Sequence, residues 1–390
     1  MNPTTDRPSL KPVMSWVSTA AMSLLALTLT VGCGEPLEAE AEAEALGQQE
    51  APMGRLDTGC TSGNCSDPTN GQGIYIAKGF GYCIWLHRDI YFCPEYFSQS
   101  QSGPQLTGQT VNSKGESLTQ AVTFPVAGRR LGLPVDVLRI GLNAQDLVIA
   151  YKDASGYYEL SGTDLGNLEL DLQNSTLGAF SLRFRPAALD KGVMLYEAEY
   201  IRASMSAWAP TCQDSAGKVA FIPERRVDPV TAKVAKDTDS GVVTMACRTG
   251  AIATCMVWGY RPHEVSDPER QSMADTAYAT CLQAKRAAYF VQSGDYASYT
   301  TEGTHIALQD LYGIMNVSMP GVEAVWGPEG ARCFSESYRR IPNPGAVLPA
   351  LPTVIPVPAC DQRLHTAAQS GTLQSELRED APLATGPYVP

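Results

Sequence analysis

The sequence predicts an α+β protein: a mostly antiparallel β N-terminal half followed by a disulfide-stapled module with two helices in the C-terminal half. Three observations carry that expectation. Between residues 106 and 203, Leu168, Leu170 and Leu172 alternate with Glu169 and Asp171, and Phe180, Leu182 and Phe184 alternate with Ser181, Arg183 and Arg185. Period two with one polar face belongs to an antiparallel sheet wetted on one side. Further on the spacing becomes three and four: Ala274, Ala277, Tyr278, Cys281, Ala284, Ala288 and Tyr289 share one helical face. The third observation is a total of eleven cysteines in a chain that opens with an export signal.

Residues 1–32 read as a lipoprotein signal peptide. Arg7 and Lys11 give a basic start, Val13 to Val31 an apolar run dotted with Ser and Thr, and Thr30-Val31-Gly32-Cys33 a small-residue junction before a cysteine. Cys33 is therefore the expected lipidated first residue. A plain secretory signal and a membrane span of borderline length are the competing readings. Gly34, rather than an acidic residue, follows Cys33, which points to the outer membrane of the cell envelope. Residues 33–57 alternate Glu with Ala and bury nothing, so they are expected to stay solvated as a stalk.

The whole chain of 390 residues carries 29 basic and 41 acidic side chains, a net charge of −12. Removing Arg7, Lys11 and Asp6 with the signal leaves 27 basic and 40 acidic, a net charge of −13. That balance opposes nucleic-acid binding, which needs basic patches. It favours solubility.

With Cys33 lipidated, ten cysteines remain, an even number in an exported chain, which implies a disulfide framework. Cys60, Cys65, Cys83 and Cys93 lie early; Cys212, Cys247, Cys255, Cys281, Cys333 and Cys360 lie late. The sequence has no Cys-x-x-Cys and its four histidines are scattered, so no zinc or other metal site is expected.

The elements follow in order. Residues 58–105 are a Cys-rich segment with a turn at Asn70-Gly71 and strand-like runs at Gly73–Ala77 and Cys83–Leu86. Residues 106–240 are the β-rich region, in which Leu147–Tyr151 reads as a buried strand. Asp237-Thr-Asp239-Ser-Gly241 is a fragment of a calcium-loop pattern without the later acidic ligands, and reads as a turn. Residues 241–341 hold the two helices. The first spans about Gly250 to Trp258, with Gly259 and Pro262 to stop it. The second starts at the Ser266-Asp-Pro-Glu269 capping box and runs through Cys281 to Phe290. A strand over Thr304–Asp310 and a turn over Gly327–Gly330 follow. Residues 342–390 are expected to form a proline-rich strap pinned at Cys360 and a disordered tail.

Ala246-Cys247-x-x-Gly250-Ala251, Cys255-x-x-Trp258-Gly259-Tyr260-x-Pro262, Arg286-Ala287, Gly303-Thr304-x-Ile306, Asp310, Glu323-Ala324-x-Trp326 and Gly330-Ala331-x-Cys333 together resemble the bacterial ADYC domain family. The likeness runs from Met245 to Cys333, with a fainter extension back to Trp208-Ala-Pro-Thr-Cys212. The family takes its name from an Ala-Asp-Tyr-Cys tetrapeptide. Here the corresponding residues are Ala287-Ala288-Tyr289-Phe290, so its Asp and Cys are replaced. The resemblance brings no established activity with it.

It does imply a disulfide pattern. If the two helices pack antiparallel, Cys255 faces Cys281, and the family's tetrapeptide Cys would face Cys247. With Phe290 in that place, Cys247 needs another partner. Cys360 is the first choice, Cys212 and Cys333 the competitors. Cys247 and Cys255 cannot bond if both are helical, because eight residues rise about 12 Å.

No catalytic motif or cofactor site is expected: Gly-x-Ser-x-Gly, His-Glu-x-x-His and phosphate-cradling glycine loops are missing from the sequence. His305 and Asp310 lie near Asp295 and Glu302, from which a general-base pair can be imagined. Two functional readings stand. One is an envelope lipoprotein acting as a non-enzymatic structural or interaction module, attached to the membrane by its lipid, with an envelope protein or a polysaccharide as partner. The alternative is a secreted hydrolase-like enzyme with its site in 241–333.

Overall fold

The alternating strands of the N-terminal half close on themselves. The computed structural model describes residues 83–388, except 115, 145, 213–217, 229 and 302–303. Cys33, Cys60, Cys65, the acidic stalk, the runs before Cys83, and Glu302 lie outside the described residues. The chain begins with β1 (Ile84–His87), β2 (Ile90–Ser100), β3 (Gly103–Val111), β4 (Ser117–Arg130), β5 (Leu133–Asn143), β6 (Asp146–Asp153) and β7 (Gly156–Leu160). It continues through β8 (Leu168–Asn174), β9 (Gly178–Asp190), β10 (Val193–Ile201), β11 (Ala209–Pro210), β12 (Lys218–Pro223), β13 (Arg225–Val227), β14 (Val234–Lys236) and β15 (Val243–Cys247).

Strands β2, β3, β4, β8, β9, β10, β12 and β15 pair antiparallel in that order. The circle is completed when β15 pairs with β2 through Val243↔Phe97 and Thr244↔Tyr96. The half-exposed sheet predicted for this region is therefore an eight-stranded barrel. Closure satisfies the backbone groups that an open sheet would leave at its edges.

Eight strands enclose a space just wide enough for side chains, and aromatic rings fill it. Phe124 lies 4.6 Å from Phe92 and 5.1 Å from Phe180, while Phe221 lies 5.3 Å from Phe184. Leu170, Leu172 and Leu182 complete the packing. The outer face is polar over β8, β9 and part of β10, as in the Arg183–Glu199 pair at 2.8 Å. Between β4 and β8 the chain leaves the barrel as the β5–β6–β7 ribbon, anchored by Leu147, Ile149 and Tyr151.

Elsewhere the barrel wall is buried on both faces. In β12, Val219 and Phe221 face the barrel core, whereas Ala220 and Ile222 pack against the C-terminal module. That module begins with α1 (Ala251–Val257) and α2 (Pro268–Arg286), joined by the Cys255–Cys281 disulfide, S–S 2.04 Å. Two details of α2 differ from the sequence reading. Its cap is Asp267, whose carboxylate accepts from Glu269 N at 3.0 Å, rather than Ser266. The helix also ends at Arg286, because Ala287 turns left-handed with φ 53°.

That early end cancels the second rung expected between the helices. Position 290 lies beyond α2, and Cys247 is in a strand, so neither belongs to the assumed helical ladder. Cys247 bonds Cys212 instead of Cys360, and Cys360 bonds Cys333. A fourth disulfide, Cys83–Cys93, fastens β1 to β2.

A second, smaller sheet completes the module: β16 (Ile306–Asp310), β17 (Ala324–Gly327), β18 (Gly330–Phe334) and β19 (Leu383–Pro387), ordered β16-β19-β17-β18. The tail expected to be disordered therefore supplies a central strand, with all five residues buried. Before it comes α3 (Gln362–Ser370), started by Asp361 accepting from Arg363 N at 2.8 Å and ended by Gly371 at φ 76°. The proline strap crosses from Ile341 to Cys360 without regular structure, held where Arg339 Nη2 donates to Pro349 O at 2.7 Å.

Truncation after Cys360 tests the place of the tail in the fold. It would remove buried Leu373 and Leu383, each worth about 2–5 kcal/mol, against a total margin of roughly 5–15 kcal/mol. The truncated chain should lose its cooperative thermal transition. A sharp transition within a few degrees of the full chain would show the tail to be dispensable.

Candidate functional site

Three of the residues that carry the family resemblance, Tyr289, Glu323 and Trp326, meet Arg340 and Thr385 around a buried carboxylate. Glu323 sits just before β17 and, like Arg340, has a fully buried side chain. Arg340 donates from Nη2 to Glu323 Oε2 at 2.9 Å and from Nε to Oε1 at 2.9 Å. Tyr289 hydroxyl donates to Oε1 at 2.6 Å and Thr385 hydroxyl, from β19, to Oε2 at 2.7 Å. Arg340 also reaches the last turn of α2, where Nη2 donates to Ala284 O at 3.0 Å and Nη1 to Lys285 O at 3.4 Å.

Aromatic rings seal this cluster. Trp326 lies stacked 5.2 Å from Tyr289 and donates its Nε1–H to Thr385 Oγ1 at 2.8 Å. Phe334 lies 4.4 Å from Tyr289 on another side. Burial pushes the Glu323 carboxyl up, but the Arg340 charge and the converging donors outweigh it and hold the group below the usual range. Phe290, standing where the family has its Cys, packs 5.0 Å from Tyr299 and is fully buried. The tetrapeptide is thus core, with its Tyr as the polar link.

The imagined general-base pair is not assembled. Asp310 accepts from Tyr260 hydroxyl at 2.9 Å and from the backbone N–H groups of Tyr312, Ile314 and Met315 at 2.8, 3.1 and 2.6 Å. It shapes the turn after β16. His305 bridges to Ile341 at the strand's other end, about 16 Å from Asp310 at the rise of an extended chain. Asp295 accepts from Tyr299 hydroxyl and Ala297 N. The Asp237 fragment is a turn, its carboxylate accepting from Ser240 N at 3.1 Å. No group of His, Cys, Asp and Glu able to hold a metal occurs among the described residues.

A groove of about 640 Å³, open to solvent and with polar groups exposed at its floor, lies on the outer barrel wall. Ala127, Asp171 and Ser181 stand abreast on β4, β8 and β9. Arg129 donates to Asp171 from Nε at 2.7 Å and from Nη2 at 2.9 Å, and Ser181 hydroxyl donates to the same carboxylate at 2.6 Å. The loop from Ile201 to Trp208 forms the opposite wall. Sequence reasoning missed this site. Glu169, Asp171 and Ser181 were visible only as the polar half of an alternation, and nothing in their spacing brings Arg129 or Trp208 beside them.

The class defined by this fold and site is a closed eight-stranded barrel with a disulfide-stapled α+β module packed on its wall. The ADYC domain family matches residues 162–340: the chain carries an ADYC domain, which begins ahead of β8 and ends on Arg340. The match reaches further back than the resemblance read from Met245 to Cys333, taking in β8 to β10 and the groove loop. No curated protein and no solved structure matches the chain.

One carboxyl outside both places is strongly perturbed. Glu95 stands at the bulge in β2, and burial, followed by the neighbouring Asp228 charge, pushes its pKa up to about 8 from 4.5. Its Oε1 has no hydrogen-bond partner among the described residues. Between pH 4.5 and 8 the unfolded chain ionises this group while the folded chain keeps it protonated, so stability falls as pH rises through that window. Glu95→Gln should remove the effect. Urea midpoints at pH 5 and 8.5 should differ by the equivalent of about 2–4 kcal/mol more in the wild type than in the variant. Parallel pH profiles would contradict the assignment.

Proposed function

We propose that the chain is an exported lipoprotein, anchored in the cell envelope through Cys33, whose folded part acts as a non-enzymatic interaction module. The observation that carries the non-enzymatic reading is where the acidic groups of the C-terminal module spend their hydrogen bonds. Asp310 takes four donors in shaping a turn, and Glu323 is closed off by Arg340, Tyr289 and Thr385. A general base needs a free lone pair within reach of substrate. The rigid groove on the barrel wall offers instead a surface for contact.

Export is supported by four disulfides among the described residues, a usage that belongs to oxidising compartments. The small-residue junction at Cys33 and the Ala/Glu stalk behind it fit a tether of variable reach. Acyl chains contribute about 0.8 kcal/mol per buried CH₂, so a multiply acylated cysteine anchors a soluble domain firmly. An outer-membrane position follows from Gly34 in this reading.

Cell fractionation tests the anchor. Cys33→Ala should shift the protein from the membrane pellet to the soluble fraction and abolish labelling by a radioactive fatty acid. A variant that remains in the pellet with its first 32 residues attached would mean that the apolar segment is itself the anchor.

A further inference from the structure

We propose that the groove on the outer barrel wall binds a neutral, hydroxyl-rich glycan chain. The proposal rests on the interaction-module reading and names its ligand class. It starts from the charges. Arg129 and Arg202 are matched in number by Glu169 and Asp171, and the Arg129–Asp171 and Arg129–Glu169 contacts, 2.7 and 3.1 Å, neutralise the floor internally. A site for phosphate, sulfate or uronate would carry an excess of cations. This floor carries none, yet it presents donors and acceptors at fixed positions.

Those groups are held for contact rather than buried. The side chains of Arg129 and Asp171 are 42% and 31% exposed although both are tied into the network. Planar guanidinium and carboxylate groups on adjacent strands can engage paired hydroxyls while keeping one edge bonded to each other. Their ordering is already complete in the free protein, which reduces the entropy lost on binding.

Trp208 supplies the complementary apolar surface. Its ring is covered on one side by the Arg183 guanidinium at 4.2 Å, and Arg183 is in turn fixed by Glu199 at 2.8 Å. The loop that presents Trp208 is fastened just behind it. Thr211 N donates to Ala198 O at 2.8 Å, and Cys212 is bonded to Cys247. A sugar ring has an apolar C–H face and a hydroxyl edge, which match an indole wall standing beside a polar floor. The open form of the groove, about 640 Å³, suits a segment of a chain rather than an enclosed metabolite.

The test uses the purified full chain in detergent on an array of neutral oligosaccharides built from glucose, mannose, galactose and N-acetylglucosamine, with uronate-containing and sulfated glycans beside them. Wild type should bind at least one neutral series more strongly than any charged one. Trp208→Ala should weaken that binding by about tenfold, and Trp208→Phe should restore most of it. Ala203→Trp, at an exposed position on the rim, should obstruct the groove with an unchanged urea midpoint. Binding to none of the neutral glycans, preference for the charged ones, or full binding by both Trp208→Ala and Ala203→Trp would overturn the proposal. Membrane attachment is read separately by fractionation, so failure of the glycan site and failure of the lipoprotein reading are distinct results.

Discussion

The buried Glu323–Arg340 pair is the constraint on which the C-terminal half depends. Removing two such charges from water costs several kcal/mol per ion even after relaxation. The cost is offset because both ions are closely hydrogen-bonded: Glu323 by Tyr289, Thr385 and the Arg340 backbone, and Arg340 by the Ala284 and Lys285 carbonyls of α2. These partners come from parts of the chain up to about a hundred residues apart. The end of α2, the start of β17, the strand β19 and the residue before the proline strap must therefore arrive together. A pair of this kind specifies one arrangement more than it adds stability, since well-packed apolar replacements are often as stable.

This constraint explains the retained and the missing parts of the tetrapeptide. Tyr289 is kept because its hydroxyl serves Glu323 and its ring stacks on Trp326. Position 290 tolerates Phe because it faces an aromatic pocket formed with Tyr299 and Phe334. Cys247, in β15, closes on Cys212 and so steadies the loop that bears Trp208.

Much of the local structure was legible from residue patterns. Alternation at Leu168–Leu172 and Phe180–Phe184 marks β8 and β9, and the three–four spacing of Ala277, Tyr278 and Cys281 marks α2. Closure was not legible. Period two is the same in an open sheet and a barrel, and the pairing of Thr244 with Tyr96 joins residues about 150 apart. The tail was misread although its signals were present. Asp361 and Gly371 bracket α3 as good caps, but the polar run after them obscured the short strand Leu383–Pro387. The groove was invisible for another reason: Arg129, Asp171, Ser181 and Trp208 come from four elements and form no motif.

The central claim is that Glu323 and Arg340 form the ionic hub of the C-terminal half, and a double-mutant cycle on the two residues tests it most directly. Glu323→Gln and Arg340→Met each leave one buried charge unpaired, and each should lower the unfolding free energy by about 3–5 kcal/mol. The double variant should lose clearly less than the sum, with a coupling of about 2 kcal/mol or more in urea titrations. Single variants within about 0.5 kcal/mol of wild type, or losses that simply add, would contradict the account.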